Sequence, residues 1–255
     1  MAATPELLAW HESSPRVRFG DASDKLTLAA LTQPFALSQM TKLIELGQGV
    51  TARSASLTAF HYTINSVISA LVAPIAYDRL ALDLAPHEIG VEINAVGDLN
   101  AVWVASLRAT EFGAPFVGMA AWNLLRPIAD LMSRMYGFSR SGLNTVMYDS
   151  LELAARRMSN MGEHRDHVLV SQLLSGVDFI PQSVPTMTVV EPDYGPAVSV
   201  AGRRICCVLT ASAGAGSCPT CPLRAADDRM SATFDWLAAV DADDFLAICG
   251  RARVI

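Results

Sequence analysis

Four of the chain's five cysteines fall within sixteen residues: Cys206, Cys207, Cys218 and Cys221. The spacing is an adjacent pair, a ten-residue interval and a Cys-x-x-Cys turn. Thiols gathered this closely in an otherwise cysteine-poor chain read as one metal site. Which metal they hold decides whether this stretch carries electrons or only folds around an ion.

The other 239 residues of the 255 must supply the body of the protein. A chain of this length makes one large domain, or one domain with a small appendage. It can bury about 70–75% of its unfolded surface, so it needs no metal or disulfide merely to fold. Net charge is −6 and the basic residues are scattered along the sequence. That distribution offers no basic stripe for nucleic acid, so DNA and RNA binding are set aside. Hydrophobic residues make up 51% of the chain, yet no run approaches the roughly 20 apolar residues of a membrane span. The most apolar stretch, Ile64 to Ala76, is short, carries Ser66 and Ser69, and meets Pro74. Met1 to Glu12 has neither a basic n-region nor a long apolar h-region. The expectation is a cytoplasmic protein with room for peripheral contact at the inner face of the membrane. In that reducing compartment thiols stay free to bind metal.

Along the chain the signals are mainly helical. Residues 1–33 read as an irregular N-terminal segment. Residues 34–180 read as a helical body, and residues 181–255 as a linker and C-terminal metal-binding region. Phe35 to Leu46 has helical periodicity and ends at Gly47. Ala52 to Leu84 reads as one long helix or two, interrupted at Pro74. Glu88 to Asn94 and Val102 to Leu107 read as a β-hairpin, with Gly97-Asp98-Leu99-Asn100 as the turn. Phe116 to Tyr136 is a helix with a kink expected at Pro127. Arg140 to Met161 has the clearest pattern: Leu143, Val146, Met147, Leu151, Ala154 and Met158 share one face, Ser139 caps the start and Gly162 ends it. Glu163 to Ser175 forms a further helix closed by Gly176. Prolines 181, 185, 192 and 196 punctuate residues 177–202, which read as an extended linker. Ser231 to Val240 and Asp243 to Ile248 read as two short helices. The fold class is mainly α with a small β component (α+β): a helical body, a β-hairpin and a C-terminal metal-binding segment.

Thiolate ligands favour zinc, copper(I) or iron–sulfur clusters over hard cations. The Cys218-Pro219-Thr220-Cys221 turn can grip one iron or zinc. Neighbours such as Cys206 and Cys207 point to opposite faces of an extended strand, so zinc knuckles rarely use them. A [2Fe–2S] unit needs two thiolates on each of two irons, and a bent backbone at Cys206–Cys207 suits that. Ser212, Gly214 and Gly216 make the connecting loop pliable and leave N–H groups free to approach sulfur. A structural zinc site on all four thiolates and a redox dithiol use the same residues, and both stay open on spacing alone. A Cys206–Cys207 disulfide would be strained and is disfavoured in the cytosol.

The stretch from Arg203-Arg204-Ile205-Cys206-Cys207, through Gly214-Ala215-Gly216-Ser217-Cys218, to Cys221-Pro222-Leu223 resembles the C-terminal signature of the FhuF-type ferric-siderophore reductases. Leu125-Arg126-Pro127-Ile128, Met135-Tyr136-Gly137-Phe138-Ser139 and Leu143-Asn144-Thr145-Val146 look like that family's paired helices ahead of the cluster, and the resemblance spans residues 30–225. Two places differ: Val208-Leu209-Thr210 follows the cysteine pair, and Pro219-Thr220 fills the Cys-x-x-Cys. The resemblance implies a [2Fe–2S] cluster on Cys206, Cys207, Cys218 and Cys221. It implies reduction of Fe(III) held by a siderophore, with hydroxamate chelates favoured. The other readings are a siderophore-binding or assembly protein with a structural zinc site, and an iron–sulfur carrier for another partner. Arg203, Arg204 and Arg224 flank the cysteines and are candidate contacts for an anionic chelate; an ordinary solvated surface explains each singly.

Other residues carry weaker signals. Gly47-Gln48-Gly49-Val50-Thr51-Ala52 matches a dinucleotide fingerprint only formally, because a helix precedes it rather than a strand. It reads instead as the end of one helix and the start of the next. Electrons are therefore expected from an external donor, such as a ferredoxin or a flavin reductase. His164 and His167, beside Glu163 and Asp166, read as a solvated helix face. His61 reads as a hydrogen-bonded core residue, and Cys249 as a lone buried thiol. Methionines 119, 132, 135, 147, 158 and 161 read as core packing.

Overall fold

The computed structural model describes residues 17–78, 81–106, 108–161, 167–181, 187–190 and 198–201, together with 225, 227, 228 and 231. In chain order the elements are β1 (Val17–Phe19), β2 (Leu26–Thr27), α1 (Leu28–Leu31), α2 (Pro34–Gln48) and α3 (Ala52–Val67). A π-helical turn, Ile68–Val72, joins α3 to α4 (Ala73–Asp78). Then come β3 (Ala81–Leu82), a 3-10 turn (Pro86–Glu88), β4 (Ile89–Ile93), β5 (Leu99–Val104) and β6 (Ala109–Thr110). The remaining elements are α5 (Ala114–Tyr136), α6 (Arg140–Met161), α7 (His167–Ser175), β7 (Met187–Val190) and β8 (Val198–Ala201). The fold is mainly helical with small sheets, as the periodicity implied.

The helix α3 is the centre. Ala55, Ala59, Phe60, Ile64 and Val67 are fully buried, and so are Ser56, Thr63 and Ser66 on its other sides. Past its exposed first turn such a helix has almost no face in solvent, so its hydroxyls must find partners within the protein. They do: Ser56 Oγ donates to the Arg53 carbonyl at 2.8 Å, Thr58 Oγ1 to Ser54 at 3.1 Å, Thr63 Oγ1 to Ala59 at 2.9 Å and Ser66 Oγ to Tyr62 at 2.8 Å. Small side chains at these positions let α2, α5 and β4 pack against it. Thr51 caps its start, its Oγ1 accepting from the Ser54 N–H at 3.2 Å.

Pro74 does not stop the helical path. It lacks an N–H and would crowd the carbonyl four residues earlier in a regular helix. The chain widens to a π turn over Ile68–Val72, with the Ala73 N–H donating to the Ile68 carbonyl, and continues into α4. The expected interruption is thus a change of pitch.

The four-stranded sheet has the order β1-β5-β4-β2, with β1 parallel to β5 and the other pairs antiparallel. Residues 17–31, expected to be irregular, therefore contribute two strands and a short helix. Val17, Leu28 and Leu31 are buried, and their burial orders this stretch. The β4–β5 hairpin exists, but its turn lies earlier than expected, at residues 94–98, and Leu99 and Asn100 belong to β5. Asn94 decides this: its Oδ1 accepts from the N–H groups of Val96 and Asp98 at 3.1 and 2.9 Å. Gly97 completes the turn at φ +78°.

Close backbone approaches lock the helices to one another and to the sheet. A Cβ on Gly47 would lie 2.5 Å from the Gly97 nitrogen, so the end of α2 sits on the hairpin turn. A Cβ on Gly118 of α5 would lie 1.9 Å from the Leu173 carbonyl oxygen of α7. The helix α6 begins as expected, with Ser139 Oγ accepting from the Gly142 N–H at 3.3 Å. Its predicted face is buried at Leu143, Val146, Met147, Leu151 and Ala154; the Met158 side chain and Gly162 lie outside the described residues. In residues 177–202, expected to be an extended linker, the runs Met187–Val190 and Val198–Ala201 pair antiparallel, and β8 rests on α6. Of the two helices expected after the cysteines, all but Ser231 lies outside the described residues.

Gly118→Ala should force α5 and α7 apart and lower stability by about 3 kcal/mol. Urea unfolding checks this; the midpoint should drop while the slope holds.

Candidate functional site

The residues singled out as metal ligands, Cys206, Cys207, Cys218 and Cys221, lie outside the described residues, as do Arg203, Arg204 and Arg224. Cys249 and His164 lie outside them as well. The fold describes what leads to that segment: β8 ends at Ala201, two residues before Arg203 and five before Cys206, and it lies against α6. Among the described residues no group of three or more His, Cys, Asp or Glu is arranged to hold a metal ion.

The helix that carries β8 holds two buried carboxylates. Asp149 and Glu152 are each 4% exposed, and each has a partner. A buried carboxylate persists only when paired and hydrogen-bonded. Sequence reasoning passed over both, although they flank the apolar face of α6 at a spacing of three residues. His61 is buried in α3 and engaged, as its apolar surroundings implied. Met132 and Met147 are fully buried and Met135 packs on the core, whereas Met119 is 43% exposed and departs from the core reading.

The formal dinucleotide fingerprint is a helix junction. Gly47 lies in the last turn of α2, Gly49 ends that helix at φ +64°, and Thr51 caps α3. Gln48 spans the junction: its Nε2 donates to Tyr62 Oη at 3.0 Å, the Gly97 carbonyl at 2.9 Å and Asp98 Oδ1 at 3.3 Å. These glycines serve close packing and a left-handed helix end.

Glu88 is the most heavily engaged carboxylate among the described residues. Its oxygens accept from the Ala85 N–H and Ser106 Oγ, both at 2.6 Å, and from Arg108 Nη1 and Nη2 at 2.7 and 2.6 Å. Burial alone would push its pKa up, and that is the largest single influence. The bonds from Ser106, Ala85 and Arg108 together outweigh it and hold the carboxyl below the usual glutamate range. An ionised, saturated carboxylate has no lone pair left for proton transfer, so Glu88 fastens the turn before β4 to the strand that follows β5. Glu92 is likewise lowered, chiefly by hydrogen bonds from Asn100 and Trp103.

A cationic face was also hidden in the sequence. Arg126, Asp130 and Arg134 follow one another at four-residue steps along the outer side of α5. Arg140, at the start of α6, reaches back to Asp130, its Nε 2.6 Å from Oδ1. Arg53, at the start of α3, donates to the Tyr136 carbonyl at 3.4 Å and lies 4.4 Å over the Phe138 ring.

No family model matches this chain, and no curated protein matches it. Among the described residues no helix is long and apolar enough to cross a membrane.

Glu88→Gln should cost about 1–3 kcal/mol at neutral pH by leaving Arg108 and the Ser106 hydroxyl poorly matched. Because the folded pKa is lowered, the wild-type advantage is complete above the ordinary glutamate range. It should fade as pH falls through the lowered value. Thermal melts of both proteins between neutral and acid pH check the convergence.

Proposed function

We propose that this protein reduces ferric siderophores by one electron, through a [2Fe–2S] cluster on Cys206, Cys207, Cys218 and Cys221. The observation that carries the reading is the spacing Cys-Cys, ten residues, Cys-x-x-Cys, with glycines in the interval and arginines before it. Four thiolates are the donor set such a cluster takes, two to each iron. When bound, the cluster supplies one electron at a time.

The chemistry needs no more than that. Siderophores hold Fe(III) through hard anionic oxygens. Fe(II) has lower charge density and is held far more weakly, so one electron releases the iron. The chelate gains the electron and an external donor loses it. Arg203, Arg204 and Arg224 supply positive charge beside the cysteines, suited to an anionic chelate and to the added negative charge of the reduced site. The work is assigned to the cytoplasm, where Fe(II) is released.

Anaerobically purified protein should be red-brown with about two irons and two sulfides per chain. The dithionite-reduced protein should give a rhombic S = 1/2 electron paramagnetic resonance signal at low temperature. Cys218→Ser should abolish ferric-hydroxamate reduction while the far-ultraviolet circular dichroism keeps its helical form. A colourless protein carrying one zinc, whose helical fold loosens in the same variant, would overturn the reading.

A further inference from the structure

We propose that the arginine face built on α5 docks the protein that delivers the electron, and that this donor presents a carboxylate-rich surface. The inference rests on the reductase reading, which requires a one-electron donor. The only dinucleotide-like motif of the sequence is a helix junction, so it offers no reason to place the source of electrons within the described body.

The face assembles from three helices. Arg126 and Arg134 stand eight residues apart on α5, about 12 Å along its axis. Both are exposed, and among the described residues neither makes an ion pair. Between them Asp130 is occupied by Arg140, whose side chain is itself 62% exposed. Arg53 adds a fourth guanidinium at the C-terminal end of α5. Among the described residues Asp130 is the one carboxylate paired with any of these four arginines, on a protein whose net charge is −6. Arg53 and Arg134 lie where a helix C-terminus favours cations, and that accounts for their presence locally. It does not account for Arg126, which lies mid-helix.

Exposed, unpaired guanidinium groups are suited to carboxylates, since each offers a planar fork of N–H donors. Their backbone is already ordered in helices, so the cost of binding is confined to the rotamer freedom of the side chains. Nucleic acid is the poorer fit, because a polyanion of that density calls for a basic domain and this chain has a pI near 5.3. In the fold, α5 packs on α6, and α6 carries β8, which ends five residues before Cys206. Complementary charge of this kind acts mainly on the rate of encounter and is screened by salt.

The test uses the full-length iron-loaded protein and, as probe, a reduced acidic [2Fe–2S] ferredoxin. Association is followed by stopped-flow, and binding by calorimetry, at ionic strengths of about 0.01 M and about 0.15 M. The wild-type rate should fall as salt rises. Arg126→Glu combined with Arg134→Glu should slow association at low salt by at least about tenfold. Arg18→Glu, an exposed change on β1, should leave it unaltered. Should the reversed pair fail to keep its helical circular dichroism, Arg126→Ala with Arg134→Ala should give a smaller loss in the same direction. Equal association of wild type and double variant, a wild-type rate indifferent to salt, or binding of duplex DNA in place of the ferredoxin would each overturn the proposal. Calorimetry keeps the two readings apart. Arginine-dependent binding by a protein without iron removes the reductase and leaves the docking face. Iron-loaded protein that binds indifferently to these arginines does the reverse.

Discussion

Everything in this fold is arranged around a helix that, past its exposed first turn, is enclosed on nearly every side. In α3, Ser56, Thr63 and Ser66 are buried as deeply as Phe60 and Ile64, and Ser54 and Thr58 nearly so. A buried hydroxyl without a partner costs on the order of 1–3 kcal/mol, enough at several positions to undo a domain. The cost is avoided because the hydroxyls of Ser56, Thr58, Thr63 and Ser66 turn back to carbonyls three or four residues earlier in their own helix, while Ser54 Oγ accepts from the capping Thr51. The neighbours then meet an effectively small, apolar surface. That permits α2, α5 and the sheet to approach from different sides, and it sets the positions of the rest.

The same need for close approach recurs at the edges of the core. Gly47 lets the end of α2 rest on the β4–β5 turn, and Gly118 lets α5 and α7 touch backbone to backbone. These contacts leave α6 enclosed along most of its described length, with β8 seated on it. The segment that carries the cysteines therefore leaves from a strand held against a buried helix rather than from a free tail.

Much of this was legible in particular residues. The apolar face from Leu143 to Ala154 and the Ser139 cap each work through near neighbours, and each appears where the periodicity put it; α2 runs two residues past the expected stop at Gly47 and ends at Gly49. Other features depend on residues far apart. The strand β1 exists because Val17 finds Val102, eighty-five positions away. The hairpin turn shifted because Asn94, rather than the more obvious Gly97-Asp98 pair, holds the backbone amides. At Pro74 the sequence leaves a break and a kink both open, since it shows the missing donor but not the π turn that absorbs it. The buried acids Asp149 and Glu152 escaped notice because a charge in a helical pattern ordinarily faces water.

The amino-acid sequence by itself determined the helices, which need only local spacing and caps, and the cysteine motif, whose chemistry lies in its donor atoms and their intervals. It also supplied the resemblance from which the proposed reduction follows. Tertiary structure alone decided that a serine- and threonine-rich helix should be the centre of the core. It alone also turned a nominal nucleotide fingerprint into a helix junction. And it brought Arg53 and Arg140, far away in the sequence, to the helix that carries Arg126 and Arg134. The physical reason is common to all three: burial and charge density are properties of how distant segments share space, and no local interval encodes them.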